Sequence, residues 1–431
     1  STLTRRRPTA QSELRRLCLA LLARAAEPPL ALALHLVGHD RGGHARRLRD
    51  THGVHLALDA AGQLGHHARR LLDEGHALLV DLQVILSLHG AEPVIEPTED
   101  HLLYAIKDEV PGWYRADQLA VGDAVQIAFP TTERQITLSV IDSLRPGYLV
   151  SEGRVYKAKN DTKRGLIDEP GVQTSPVINQ VDLNADFGRF MGYYLAEGHV
   201  TGERIVGFTF NTKETSYIAD ALALGESVFG LSGRVRHNLD GSSNVSFHST
   251  ILANFILSLT GTHFDRKVLP ECFMSAPNEF ARGLLVGVMR GDGCAIEYGF
   301  NLQMSNRGLM MQLFQLLLKI GYLPTIHAAH MGRLATAQPY TITLRYSDAS
   351  DLIEEVGKNT ARITKRTSDP RVAKRRFFLD GMAFYKVYAL ESKPFDGNVY
   401  DLQVENDPSF TAGLIVAHNC YLNTVNDQIS A

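Results

Sequence analysis

The chain is predicted to be a mixed α/β multidomain protein in which a β-rich domain is split by an inserted α+β domain, behind a poorly defined helical N-terminal segment. Three observations in its 431 residues predict this. Short apolar runs punctuated by turn residues fall in two brackets, about residues 80–126 and 384–420, and read as strands. The stretch between them is longer and more helical in spacing, and it holds two related twelve-residue segments. Residues 1–103 differ from both, with no Phe, Tyr, Trp or Lys and ten of the seventeen His.

From Leu17 to His76, Leu, Ala, Arg, His and Gly dominate, and amphipathic spacing over 46–72 predicts one or two helices. The same residue set also fits an alternate reading frame of GC-rich coding DNA. Further on, Leu82, Val84, Leu86 and Leu88 alternate as a half-buried strand closed by Gly90, and Val94-Ile95 opens the next. Leu102 to Ile106 is a strand, Pro111-Gly112-Trp113 a loop, and Leu119 to Val125 leads into another strand. At the far end Phe384 to Leu390, Val399 to Val404 and Leu414 to Ala417 are short strands.

A formal charge of −3 gives no global attraction to nucleic acid, so any such contact needs a local patch. Basic side chains cluster at Lys157, Lys159, Lys163 and Arg164, and again at Lys365, Arg366, Arg371, Lys374 and Arg375. Such runs are commonly solvated surface; beside a DNA-cleaving site they are expected to contact phosphate. Cys18, Cys272, Cys294 and Cys420 show neither a disulfide ladder nor zinc spacing, which points to a reducing, cytoplasmic setting. No run approaches the ~20 apolar residues of a membrane span, and no signal-peptide pattern opens the chain. A monomer with no membrane partner is expected.

His418-Asn419-Cys420 follows the apolar run Leu414 to Ala417. An Asn side-chain amide can attack its own main-chain carbonyl and break the bond after it. The Cys beyond can hold an acyl group as a thioester, and the His before it can protonate a leaving group. The plainer reading is a turn after a buried strand. In the first bracket Thr98-Glu99-Asp100-His101 precedes a strand, so that a hydroxyl can orient and an imidazole protonate a strained amide; the plainer reading is a surface His after Pro97.

Thr98-x-x-His101, followed by Trp113 to Leu119 and Val121-Gly122-Asp123, resembles the second sequence block of inteins. Val399-Tyr400-Asp401-Leu402-x-Val404, then Phe410 and Leu414 to Asn419 before Cys420, is similar to their closing blocks. Inteins excise themselves from a host protein and share an all-β horseshoe fold called Hint. The resemblance implies that His101, supported by Thr98, activates the upstream junction and that Asp401 helps coordinate transfer. It further implies that Cys420 accepts the upstream flank and that Asn419, assisted by His418, cyclises to release the intein. The chain departs from the pattern at Pro408, where many members place a His, and at its start, where an opening Cys or Ser with a Gly-Asp-Thr turn is missing. Cys18 is the one Cys in reach; it is a splicing nucleophile or simply a small buried residue in a helix.

The middle carries Phe187 to Gly198 and Arg282 to Gly293, each an apolar helix with small residues four apart, Gly192 with Ala196 and Gly287 with Gly291. That spacing puts the small residues on one face, where two helices can approach closely. Each segment ends in an acid, Glu197 or Asp292, followed by a Gly that can stop a helix. An acid in the last turn meets the negative end of the helix dipole and needs compensation. Paired helices would bring the two acids together, and oxygen ligands suit Mg2+; the plainer reading is a pair of structural helix ends. The two segments resemble the dodecapeptide motifs of LAGLIDADG (DOD-type) homing endonucleases, and Lys267-Val268-Leu269-Pro270 before the second motif and Leu313 to Tyr322 after it are similar to other ordered blocks of that family. The resemblance implies Glu197 and Asp292 as catalytic metal ligands, a divalent cation as cofactor, and double-stranded DNA as partner.

Cys420 to Asp427 is similar to the segment around a redox-active Cys in the large subunit of ribonucleotide reductases; the resemblance implies that this end, and Ser1 to Arg16 at the other, are flanks of a host protein acting in cis. The expected division is 1–79 atypical N-terminal segment, 80–130 first part of the splicing domain, 131–180 linker and DNA-recognition region, 181–380 endonuclease, 381–419 second part of the splicing domain and 420–431 host flank. The expected function is an intein carrying a homing endonuclease. The alternatives are an endonuclease whose splicing frame has decayed and a reductase fragment.

Overall fold

The computed structural model describes residues 35–39, 46–49, 55–59, 81–91, 95–161, 165–171, 175–261, 263, 266–331, 337–367, 374–395, 400–403 and 409–418. Cys18, Lys163, Arg164, Arg371, Asn419 and Cys420 lie outside the described residues. The chain falls into two compact units. One comprises Ser1–Asp81, Asp396–Phe410 and His418–Ala431, the other Leu82–Phe395 with Thr411–Ala417.

In the first unit the strands Arg46–Arg49, His55–Asp59, His35–His39 and Tyr400–Gln403 form a sheet in that order. The helix expected from residue 46 is therefore corrected to strand. Arg46–Arg49 pairs antiparallel with His55–Asp59, Leu48 standing opposite Leu56. Leu56 and Leu58 repeat with period two, and Gly53 between the strands disfavours a helix running through both. His35–His39, in the segment expected to stand apart from the splicing frame, pairs with the strand that carries Asp401, and Val37 lies opposite that residue.

The second unit holds an eight-stranded sheet whose main path runs Arg376–Leu379, Met382–Phe395, Ala124–Ile127, Ile415–His418, Leu102–Lys107, Val110–Arg115, with Asp81–Leu88 beside Met382–Phe395. Strands from both brackets thus share one sheet, and some 250 residues intervene. Val84, Leu86 and Leu88 are buried, as their alternation predicts. Two expectations fail locally. Ile95 and the two residues after it are irregular, and only Thr98 bridges, to Gln83. Pro111-Gly112-Trp113 is strand instead of loop, because Asp108 and Glu109, with φ of 49° and 66°, make the tight turn and leave the Pro on an edge strand.

The inserted lobe is built from two halves with the same element order. In the first, helix α1 (Ala185–Glu197) runs into strands Gly198–Thr201 and Ile205–Asn211, then α2 (Thr215–Phe229), strands Arg234–His237 and Ser242–His248, and α3 (Thr250–Thr260). In the second, α4 (Asn278–Asp292) runs into Gly293–Ile296 and Gly299–Met304, then α5 (Arg307–Lys319), Thr325–Ala328, Tyr340–Arg345 and α6 (Tyr346–Val356). The caps are chemical. Asn184 and Asn306 accept the Phe187 and Leu309 amide protons at 3.0 and 3.1 Å, and α2 and α6 stop at left-handed Gly230 and Gly357.

Each half has a four-stranded sheet of matching order, with the strand that follows the motif helix at one edge. Phe208, Phe210, Val245 and Phe247 pack one face of the first sheet into the core, with Phe190 of α1 edge-on to Phe208 at 5.2 Å. Phe300, Leu302, Ile342 and Leu344 do the same in the second. The other face is polar in both, with matching cross-strand pairs: Thr209 donates to Asn244 Oδ1 at 3.0 Å, and Thr343 to Asn301 Oδ1 at 2.8 Å.

Candidate active site

The site begins with glycine. Along α1, Gly188, Gly192 and Ala196 form a stripe at four-residue spacing, and Gly283, Gly287 and Gly291 form its counterpart on α4. A methyl added at Gly192 would fall on the Leu284 carbonyl and within 2.8 Å of the Gly287 Cα; one at Gly287 would fall on the Arg189 carbonyl. The two backbones therefore touch along three turns, one turn more than the sequence reading assigned.

The acids emerge where this seam ends. Glu197 lies against the second helix, and a methyl at Gly291 would come within 3.1 Å of its Cγ. Asp292 is the next residue of that helix and keeps an exposed edge, whereas Glu197 is half-buried. Burial first, then the charge of Asp292, pushes Glu197 up to about 7, against the pull of Lys358 and Lys267. Burial raises Asp292 to about 6, opposed by the same two lysines, and its exposed edge makes this the softer of the two shifts. Gly198 and Gly293 follow the acids but are not left-handed stops, since their φ values are −86° and −90°. Glycine is required there because a Cβ would strike Tyr194 in one case and Phe300 in the other.

Two cations were given no role in the sequence reading, although Lys267 opens one of the segments that resemble the family. Lys267 is 4% exposed, and its Nζ donates to the carbonyls of Tyr194, Leu195 and Gly198 at 2.6, 3.1 and 2.9 Å. Burial lowers it to about 8, while Asp292 and Glu197 hold it up. Lys358 repeats the arrangement at the end of α4, donating to the Arg290 and Gly291 carbonyls at 2.7 and 2.5 Å. Each lysine follows the last helix of its own half and returns to the end of that half's motif helix, where unpaired carbonyls concentrate negative charge. Arg290 fixes the second of them. Its Nη1 meets Asp220 and Tyr193, each at 3.1 Å, and its Nη2 donates to the Glu355 carbonyl at 3.0 Å, three residues before Lys358. The available signal was the repeat itself: the acids are 95 positions apart and the lysines 91.

Among the described residues no group of three or more His, Cys, Asp or Glu could hold a metal ion. The donor set is two carboxylates beside carbonyl-rich helix ends. That set fits a hard cation such as Mg2+, which commonly takes one or two carboxylates and leaves its other positions to water and phosphate.

The remaining expected residues are scattered more widely. Thr98 donates its hydroxyl to Asp100 at 2.7 Å, and its carbonyl accepts the His101 amide proton at 3.1 Å, so the two close one turn before the strand Leu102–Lys107. Ala417, which precedes the buried His418, pairs with Leu103. Lys157 and Lys159 are exposed on the strand Arg154–Asp161, and Lys374 and Arg375 are exposed before Arg376–Leu379. Lys365 and Arg366 are already neutralised by Glu297 at 3.1 Å and Glu354 at 3.3 Å, so their charge is less open to phosphate than the sequence suggests.

No family model matches the chain. It is 23% identical over 319 residues to an uncharacterized protein of Methanocaldococcus jannaschii, covering 72% of this chain and 37% of that protein. It is also 24% identical over 272 residues to an ATP-dependent DNA helicase of Thermococcus kodakarensis, covering 59% and 23%, and 25% identical over 276 residues to a DNA polymerase of Thermococcus hydrothermalis, covering 56% and 16%. The chain thus spans little more than a third of the length of these relatives, and less in most. Among solved structures it is similar to the homing endonuclease I-DmoI in complex with DNA and Mn, at 12% identity and a TM-score of 0.31 over 43% of this chain and 99% of that one. The N-terminal LAGLIDADG domain of WhiA matches at 10% identity and a TM-score of 0.30, over 42% and 86%.

Proposed function

We propose that the chain is a metal-dependent DNA endonuclease of the dodecapeptide type, carried inside a protein-splicing domain. One observation carries the nuclease reading. Two acids converge at the end of a helix seam that admits no side chain at Gly188, Gly192, Gly283 or Gly287, and a lysine, buried in one half and half-buried in the other, holds each helix end. A divalent cation bound there would activate water and stabilise the leaving oxygen of a phosphodiester. Glu197 and Asp292 would hold it, and with their pKa values raised its binding would displace protons. Lys267 and Lys358 keep the helix-end carbonyls occupied and supply positive charge where a phosphate would sit. The polar faces of the two half-sheets, with Thr209, Asn244, Asn301 and Thr343, are the surface on which a duplex would lie.

The test uses a supercoiled plasmid library with randomised inserts. The full chain is expected to nick or linearise it in Mg2+ or Mn2+ and to leave it intact in EDTA. Glu197→Gln and Asp292→Asn should each reduce cutting by more than about 100-fold, beyond the 10- to 100-fold common for changes outside the ligand set. Undiminished cutting in both variants removes the proposal.

The register of one strand pair favours the splicing reading as well. Ala417 stands opposite Leu103, in a sheet that draws strands from both brackets. Thr98 and His101 would act at the upstream junction, and Asp401, His418, Asn419 and Cys420 in transfer and release. Cys18 as the opening nucleophile belongs to this proposal, as does a host of the reductase type.

A further inference from the structure

A cleft of about 580 Å3 opens beyond the second half-sheet, away from the acid pair. From the motif helix outward the strands run Gly293–Ile296, Gly299–Met304, Tyr340–Arg345 and Thr325–Ala328. The last of these does not end in solvent, because the Ile326 amide donates to the Gly90 carbonyl at 2.8 Å. Residues 85–91 therefore lie along that edge, and Arg375 and Tyr388 form part of the far wall. Two bonds fix that wall in place. Arg376 Nε donates to the Leu323 carbonyl at 2.8 Å, and the buried Tyr385 hydroxyl donates to the Pro324 carbonyl at 2.7 Å.

The cleft is lined by Arg307, Arg345 and Arg375, and among the described residues none of the three forms an ion pair. Arg307 and Arg345 are held over the rings of Tyr340 and Tyr298 at 5.7 and 5.6 Å. His89 also lines it; burial, then Arg375 and Lys386, lower its pKa, so both cations stand close to the ring. Among the described residues Glu96 is the one acid in the lining, and Lys393 bonds to it. Three guanidinium groups without an ion pair among the described residues, two of them held over tyrosine rings, beside an acid that is already neutralised, make a site for a polyanion.

We propose that this cleft binds the phosphate backbone of the DNA duplex where it leaves the polar face of the second half-sheet, so that the β-rich sheet is part of the DNA-binding surface. The inference rests on the endonuclease reading. A duplex is favoured over single-stranded nucleic acid, which needs open aromatic faces on which bases stack. The two exposed rings here are already engaged, Tyr298 by Arg345 and Tyr388 by His89, the latter at 5.0 Å.

The experiment measures binding of the full chain to a 40-base-pair duplex of arbitrary sequence, without divalent metal, across a series of NaCl concentrations. Each phosphate contact contributes about 0.9 to the slope of log K against log salt. The variant Arg307→Ala/Arg345→Ala/Arg375→Ala is expected to flatten the slope by roughly 2 to 3, and the single change Arg375→Ala, at an exposed side chain, by roughly 1. A slope unchanged in Arg375→Ala and in the triple variant, with wild-type protein still binding, overturns this inference and leaves the nuclease reading standing. Flattening seen with a single-stranded 40-mer and absent with the duplex overturns it in favour of the other ligand. Failure of the wild-type chain to bind any duplex at 50 mM NaCl removes the nuclease reading instead.

Discussion

At the scale of single residues, the acids were legible and the lysines were not. Glu197 and Asp292 each close an apolar run with small residues at fixed spacing, and nothing about that requires knowledge of the rest of the chain. Lys267 and Lys358 act by returning to carbonyls at a helix end 67 to 73 residues away, a relation no local pattern encodes. The charges make a stability prediction. Glu197 holds its proton in the native state up to about 7, well above its value of roughly 4 in an unfolded chain. Between those values the native state binds more protons than the unfolded one, so metal-free stability falls as pH rises through the window. Glu197→Gln should remove the Glu197 share of that slope and leave the share of Asp292, so that the variant matches wild type at pH 4 and is more stable at pH 8 by about 1 kcal/mol in thermal scans. Mn2+ should reverse the order at pH 8 by stabilising only wild type. Lys267→Met should lower the melting temperature of the metal-free protein, with a loss of about 2 to 4 kcal/mol, because three helix-end carbonyls lose a charged donor.

At the scale of elements, the motif helices followed from their stripe of small residues, because a backbone-to-backbone seam has no other solution. Gly192→Ala and Gly287→Ala each press a methyl onto a carbonyl across the seam and should destabilise the lobe by about 3 kcal/mol or more. Gly308→Ala, inside α5 with only the Asn306 side chain at 3.7 Å, should be neutral or slightly stabilising. Urea unfolding of the three variants checks the contrast, and equal effects would mean that the seam is not tightly packed. The strand Val110–Arg115 was illegible for the opposite reason. Its Pro-Gly pair reads as loop, and only the turn at Asp108-Glu109 and its edge position make a strand of it. Arg46–Arg49 and His55–Asp59 were misread because Leu and Arg satisfy a helical period over a short window as readily as a period of two.

At the scale of the whole molecule, the interrupted β-rich frame was visible as two strand-rich brackets, and the sheet joins them. The twofold character of the insert was half visible: two motifs announced two halves, but the matching strand order of their sheets depends on pairing that sequence does not specify. Mass spectrometry of the expressed chain should find release of the peptide after Asn419, and Asn419→Ala should abolish it while leaving DNA cutting intact. The most direct test of the central claim is anomalous diffraction from crystals of the full chain with bound duplex and Mn2+. A peak should lie between Glu197 and Asp292, within about 2 to 2.5 Å of a carboxylate oxygen of each. Metal bound elsewhere, with the two carboxylates unliganded, would contradict the account.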